Sequence, residues 1–191
     1  MKIIFFGGVQ GVGKSTLLMR LENRFSGRFE ILDPGELFRR YFYNEKIMAL
    51  EEIEDMIVRK IENVPDGKAI ILHWHYAVRR PSGYTPQISF SRLRKLAEND
   101  RVKKAALVLV TASAVNLYER RQKEYSVKKR ELYLDDIRDE ILTDEKYFNK
   151  HHRLFSDVLG SKKVTALKVV NEEISAAESI LSVFLSAFLG S

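Results

Sequence analysis

The sequence predicts an α/β protein, a three-layer α/β/α arrangement around a mostly parallel five-stranded sheet. Three observations predict it. Short apolar runs recur at 3–6, 30–32, 69–73, 105–110 and 164–170, and segments with helical spacing separate them. Such alternation calls for right-handed crossovers, which lay helices on both faces of a parallel sheet. At 191 residues and 45% hydrophobic content the chain can bury one substantial core, so a single domain over 1–191 is expected.

The first run, Ile3-Ile4-Phe5-Phe6, reads as a strand ending on glycine. Directly after it comes Gly8-Val9-Gln10-Gly11-Val12-Gly13-Lys14-Ser15, which has the spacing G-x-x-x-x-G-K-[ST]. Residues 14–25 then place Leu17, Leu18, Leu21 and Phe25 at steps of three and four, a helix face that can pack on a sheet. This strand, loop and helix context is the one a phosphate-binding loop requires. Glycines let backbone amides curl around phosphate oxygens, a lysine neutralises β/γ charge, a hydroxyl reaches Mg²⁺, and the helix N-terminus adds its dipole. Gly8, Gln10, Gly11, Val12, Gly13, Lys14, Ser15 and Thr16 are therefore the candidate contacts for ATP or GTP phosphates, with Lys14 also catalytic and Ser15 a metal ligand.

The second run, 30–32, leads into Asp33-Pro34-Gly35-Glu36. Asp33 suits an N-cap, Pro34 the first helical position, and Glu36 stands three residues after the cap. Residues 49–64 carry Leu50, Ile53, Ile57 and Ile61 on one helical face. The third run, 69–73, ends in His73-Trp74-His75, where strand alternation puts both imidazoles on one face, as a transition-metal pair would need; no cysteine supports such a site. Turn signals stand at Pro65-Asp66-Gly67 and Pro81-Ser82-Gly83. After the fourth run, 118–133 is rich in cations and suits a lid over phosphates, with Arg120, Arg121 and Arg130 as its candidates; Glu119, Glu124 and Glu131 equally suit a solvated helix. His151 and His152, adjacent on a helix, point apart and read as surface or packing residues. The stretch 174–189 is too short and, with Glu178, too polar to span a bilayer, so it reads as a terminal packing helix.

Several of these segments together resemble the nucleoside monophosphate kinases, P-loop proteins among which the archaeal-type adenylate kinases are the nearest match. Gly35-Glu36-x-x-Arg39 resembles their Gly-Asp-x-x-Arg stretch, and His75 followed by Gly83-Tyr84-Thr85-Pro86 is similar to their His-x(7)-Gly-Tyr-x-Pro pattern. Phe155-Ser156-Asp157-Val158-Leu159-Gly160 and Val169-Val170-Asn171 look like the family's last long helix and final strand. The resemblance implies a P-loop nucleotide kinase fold, an acceptor region near 33–64, Glu36 near the metal, Arg39, His75 and Tyr84 at the acceptor, and Asn171 near the donor base. Two departures stand out: the family has an aspartate where this chain has His73, and a glycine where it has Gln87. An imidazole does not replace a carboxylate in the oxygen shell that Mg²⁺ prefers.

The chain has no cysteine, which removes disulfides and thiolate metal sites and favours an intracellular setting; with no secretory signal at its start, a cytoplasmic protein is expected. A net charge of +6 favours polyanionic partners. The leading expectation is phosphotransfer from ATP or GTP, with Mg²⁺, to a nucleoside monophosphate or a similar small acceptor. A nucleotide-dependent regulatory protein is a second class. Nucleic-acid engagement is a third, since Tyr118, Tyr125 and Tyr133 interleave with the basic run. Oligomeric state is not readable from these residues.

Overall fold

The computed structural model describes residues 1–65, 67–125 and 133–190. Its centre is β1 (Lys2–Gly7), buried on both sides because Ile3 and Phe5 face one layer while Ile4 and Phe6 face the other. A glycine-rich loop joins it to α1 (Lys14–Arg24), followed by β2 (Phe29–Leu32). A four-residue helix, α2 (Pro34–Leu37), runs into a π-helical segment, Phe38–Asn44, and then α3 (Leu50–Glu62). Next come β3 (Ala69–His73), the short strands β4 (Val78–Arg80) and β5 (Gly83–Thr85), α4 (Phe90–Glu98), and β6 (Lys104–Thr111). The chain closes with α5 (Ala114–Glu124), α6 (Leu134–Leu159), β7 (Val164–Val170) and α7 (Ile174–Gly190).

Five strands form one sheet in the order β2-β3-β1-β6-β7, and every pairing in it is parallel. Alternation along the strands divides the core into two layers. Ile3, Phe5, Ile70, Leu72 and Leu107 meet Ile53 and Ile57 of α3, Leu93 of α4 and Phe155 of α6. Ile4, Phe6, Ile71 and Val108 meet Leu17 and Leu21 of α1, Leu117 of α5 and Leu181 of α7. Each such buried side chain contributes roughly 1.5–3 kcal/mol. The five runs expected from sequence are these five strands.

The Pro81-Ser82-Gly83 turn has more structure around it than the sequence suggests: β4 and β5 pair antiparallel on either side of it, Arg79 opposite Tyr84. Neither strand has an apolar alternation that would have marked it. His151 is a packing residue, buried among the rings of Phe5, Trp74, Tyr76 and Phe90. Among the described residues, no helix is long and apolar enough to cross a membrane. Arg130 and Asp66 lie outside the described residues.

Candidate functional site

In an open parallel sheet, ligands bind at the carboxyl ends of the strands, where connections to helices on opposite faces diverge. Here β1 and β3 end side by side, and the glycine loop leaves the end of β1. Gly11 and Gly13 have φ of 85° and 92°, a left-handed conformation that suits glycine. A Cβ on Gly8 would strike the Val110 carbonyl, and one on Gly13 would strike the Asn171 amide. The loop is closed by its own lysine: Lys14 Nζ is buried and donates to the carbonyls of Gly8 and Val9, the latter at 3.0 Å.

Residues far along the chain hold this loop from outside. Asn171 Nδ2 donates to the Val12 carbonyl at 2.8 Å, and the Val12 side chain is sunk in the core. Arg120 Nη2 donates to the carbonyls of Asn171 at 2.7 Å and Glu172 at 3.1 Å. Arg121 is buried, donates twice to the Gln10 carbonyl at 2.8 and 3.2 Å, and pairs with Glu140 at 2.7 Å. Arg120 and Arg121 are thus fastened against the loop rather than standing out in a lid, and Asn171 lies beneath the loop rather than on an open face. Ser15 and Thr16 are exposed in the first turn of α1, which contains no acidic residue to neutralise the positive end of the helix dipole.

The second half of the site grows from Asp33. It caps α2 as the sequence suggests, accepting from the Glu36 amide at 3.2 Å, and its other oxygen faces His73 Nδ1 at 3.2 Å and Arg39 at 3.3 Å. Burial pushes this carboxyl up, but the hydrogen bond from His73 and the charges of His73 and Arg39 outweigh it and hold it at about 2. Glu36 is exposed. His75 has its basicity depressed, first by burial and then by the Lys14 charge. Its amide donates to Gln87 Oε1 at 2.8 Å, so Gln87 fixes the turn bearing His75.

A cavity of about 400 Å³ opens beside the loop, a size suited to a small molecule. Gln10, Gly35, Arg39, His75, Tyr84 and Arg121 line it, so residues singled out separately in the sequence share one wall. Tyr84 also accepts a hydrogen bond from Tyr147 at its carbonyl, and burial raises its phenol above the ordinary value. Arg80 lines the cavity too, with its Nε buried and without a hydrogen-bond partner among the described residues. The sequence reading missed Arg79, Arg80, Asp136 and Glu140, all on the cavity wall. The signal for the acids was present: Asp136, Glu140 and Asp144 recur every four residues and so share one face of α6. Asp144 is buried, accepts from the Ala77 amide at 2.9 Å, and is pushed up to about 6 chiefly by burial.

Among the described residues, no three His, Cys, Asp or Glu side chains converge as a metal cluster. Ser15 offers a hydroxyl in the first turn of α1 and Glu36 an exposed carboxylate on α2, while Asp33 is already engaged. A hydroxyl with one carboxylate fits an ion that takes most of its shell from phosphate oxygens and water.

No family model matches the chain, and no curated protein matches it. It is similar in structure to an uncharacterized protein from Eubacterium ventriosum ATCC 27560, with 12% sequence identity, a TM-score of 0.49, and coverage of 98% of this chain and 99% of that one.

Proposed function

We propose that the chain is a P-loop phosphotransferase that moves the γ-phosphate of ATP or GTP to a nucleoside monophosphate or a similar small acceptor. One observation carries this reading: a glycine loop with a buried lysine, leading into a helix whose N-terminus no side chain caps, adjoins a small-molecule cavity walled by Arg39, Arg79 and Arg80. Phosphoryl transfer needs charge stabilisation and alignment more than covalent chemistry, and this arrangement supplies both. Lys14 exchanges its two loop carbonyls for β/γ oxygens when the donor enters. The loop amides and the α1 dipole hold the remaining phosphate charge. Arg39 and the hairpin arginines hold the acceptor, and Gln10 and Arg121 stand between the two binding regions. Ser15, with Glu36 through water, would hold Mg²⁺, which supplies charge neutralisation at the transferring group.

The test is acceptor-dependent ADP formation from ATP and Mg²⁺ over a panel of monophosphates and related small anions. Acceptor-dependent turnover, abolished in a folded Lys14→Ala variant, is expected. Hydrolysis that ignores every acceptor points instead to a nucleotide-dependent regulatory protein, and unchanged nucleotide affinity in Lys14→Ala refutes the loop assignment.

A further inference from the structure

His73 closes β3, and the register that pairs Phe6 with His73 sets it one strand away from the start of the glycine loop. Its Nδ1 lies 3.2 Å from Asp33 Oδ2. That carboxylate is ionised and only accepts, so in the neutral ring Nδ1 carries the hydrogen and Nε2 keeps the lone pair. Nε2 has no hydrogen-bond partner among the described residues, and 19% of the side chain stays exposed. Arg39 and the Glu36 amide hold the carboxylate from two further directions, which fixes the pair in place.

An imidazole whose tautomer is set by a carboxylate, with its outer nitrogen unpaired on the strand next to the one that leads into the glycine loop, has the makings of a general base, and its ring stands 6.4 Å from that of the cavity-lining His75. The chemistry of acceptors decides what such a base serves. A phosphate monoester loses its second proton near pH 6, so at neutral pH it attacks without giving one up. An alcohol keeps its proton and needs a base to remove it.

We propose that the acceptor atom is a hydroxyl oxygen of a small anionic alcohol, such as a nucleotide or a sugar phosphate, and that His73 is the base that takes its proton. This rests on the phosphotransfer reading above. As the hydroxyl oxygen bonds to the γ-phosphorus, its proton passes to His73 Nε2, and the bond from that phosphorus to the bridging oxygen breaks with its electron pair leaving on ADP. The imidazolium then returns the proton to solvent. Asp33 is a positioning residue, and Arg39, Arg79 and Arg80 face the acceptor's own anionic group.

The experiment incubates the full chain with ATP, Mg²⁺ and, in separate arms, nucleoside monophosphates and sugar phosphates, and reads the new linkage by ³¹P NMR. An acid-stable phosphate monoester is expected, and the arm that forms it identifies the acceptor. His73→Asn should lower kcat by about 10²- to 10⁴-fold with little change in KM for ATP. In His73→Ala, added imidazole should restore part of the rate, which no purely structural role would allow. A phosphoanhydride product, free phosphate as the sole product in every arm, or full transfer by His73→Asn overturns the proposal. A wild-type chain that binds no ATP overturns the phosphotransfer reading as well, and so is told apart from one that binds ATP and forms an anhydride.

Discussion

Asn171 shows how much one side chain can hold at a distance in sequence. Its amide reaches across 159 residues to the Val12 carbonyl while Arg120 binds its own carbonyl, so the loop is fastened to the end of β7. Removing that amide leaves the Val12 carbonyl only a long bond from Arg120 Nη1 at 3.5 Å, which costs about 1–3 kcal/mol. Asn171→Ala should therefore lower the urea midpoint by that equivalent and, under the proposed phosphate-loop reading, weaken ATP binding, as read by equilibrium denaturation and a fluorescent-nucleotide titration; a variant with full stability would mean the bond contributes nothing net. The glycine loop itself was legible in the sequence because its glycines and Lys14 are contiguous, and the bonds from Lys14 to the Gly8 and Val9 carbonyls stay within it. The supports from Asn171, Arg120 and Arg121 were legible only as residue types, since their contacts depend on where β7 and α5 end, and a local pattern carries no such information.

The elements follow a simpler logic. Strands β1, β3 and β6 are buried on both faces, so their sequences are almost uninterrupted apolar runs, and such runs between turn signals are easy to find. Strands β4 and β5 are three residues each and partly exposed, with Val-Arg-Arg opposite Gly-Tyr-Thr, so hydrophobic alternation is missing and only their turn is visible in the sequence. Helix α3 is the opposite case: Ile53, Ile57 and Ile61 form a stripe that is fully buried against the sheet. Truncating the middle of that stripe removes three carbons from a closely packed layer. Ile57→Ala should cost about 2–5 kcal/mol, measured as a shift in the urea midpoint at unchanged slope. A loss under 1 kcal/mol would mean the layer closes over the gap. The pocket acids on α6 went unread for a related reason: a helix face of acids reads as solvated surface until the sheet beneath it is known.

At the scale of the whole molecule, buried titratable groups set how stability depends on pH. His151 donates from Nδ1 to the Tyr147 carbonyl at 2.7 Å, while its buried Nε2 has no partner, and burial drags its basicity from 6.5 down to about 4. Between those values the unfolded chain binds a proton that the folded chain refuses, so stability falls as pH falls, by about 1.4 kcal/mol per unit for one proton. His75, depressed by burial and by Lys14, adds a second limb of the same sign below 6.5. Asp144 works against both. Burial raises it from 3.8 to about 6, so between those values the folded chain holds a proton that the unfolded chain has lost, and stability rises as pH falls. Asp33, held at about 2, contributes stability that is lost only as pH drops through 3.8 and below. From pH 6 to 4 the histidine limbs and the carboxyl limb therefore pull the wild-type chain in opposite directions. Asp144→Asn keeps an oxygen for the Ala77 amide and removes the opposing limb. Its stability should fall more steeply with acidification over that window, by up to about 1.4 kcal/mol per pH unit, read as urea midpoints at half-unit pH steps, while the two proteins keep parallel profiles above pH 6.5. Parallel profiles below pH 6 as well would show that Asp144 titrates alike in both states, and the carboxyl would then not be sealed from water by the α6 face and the Ala77 turn that pack over it.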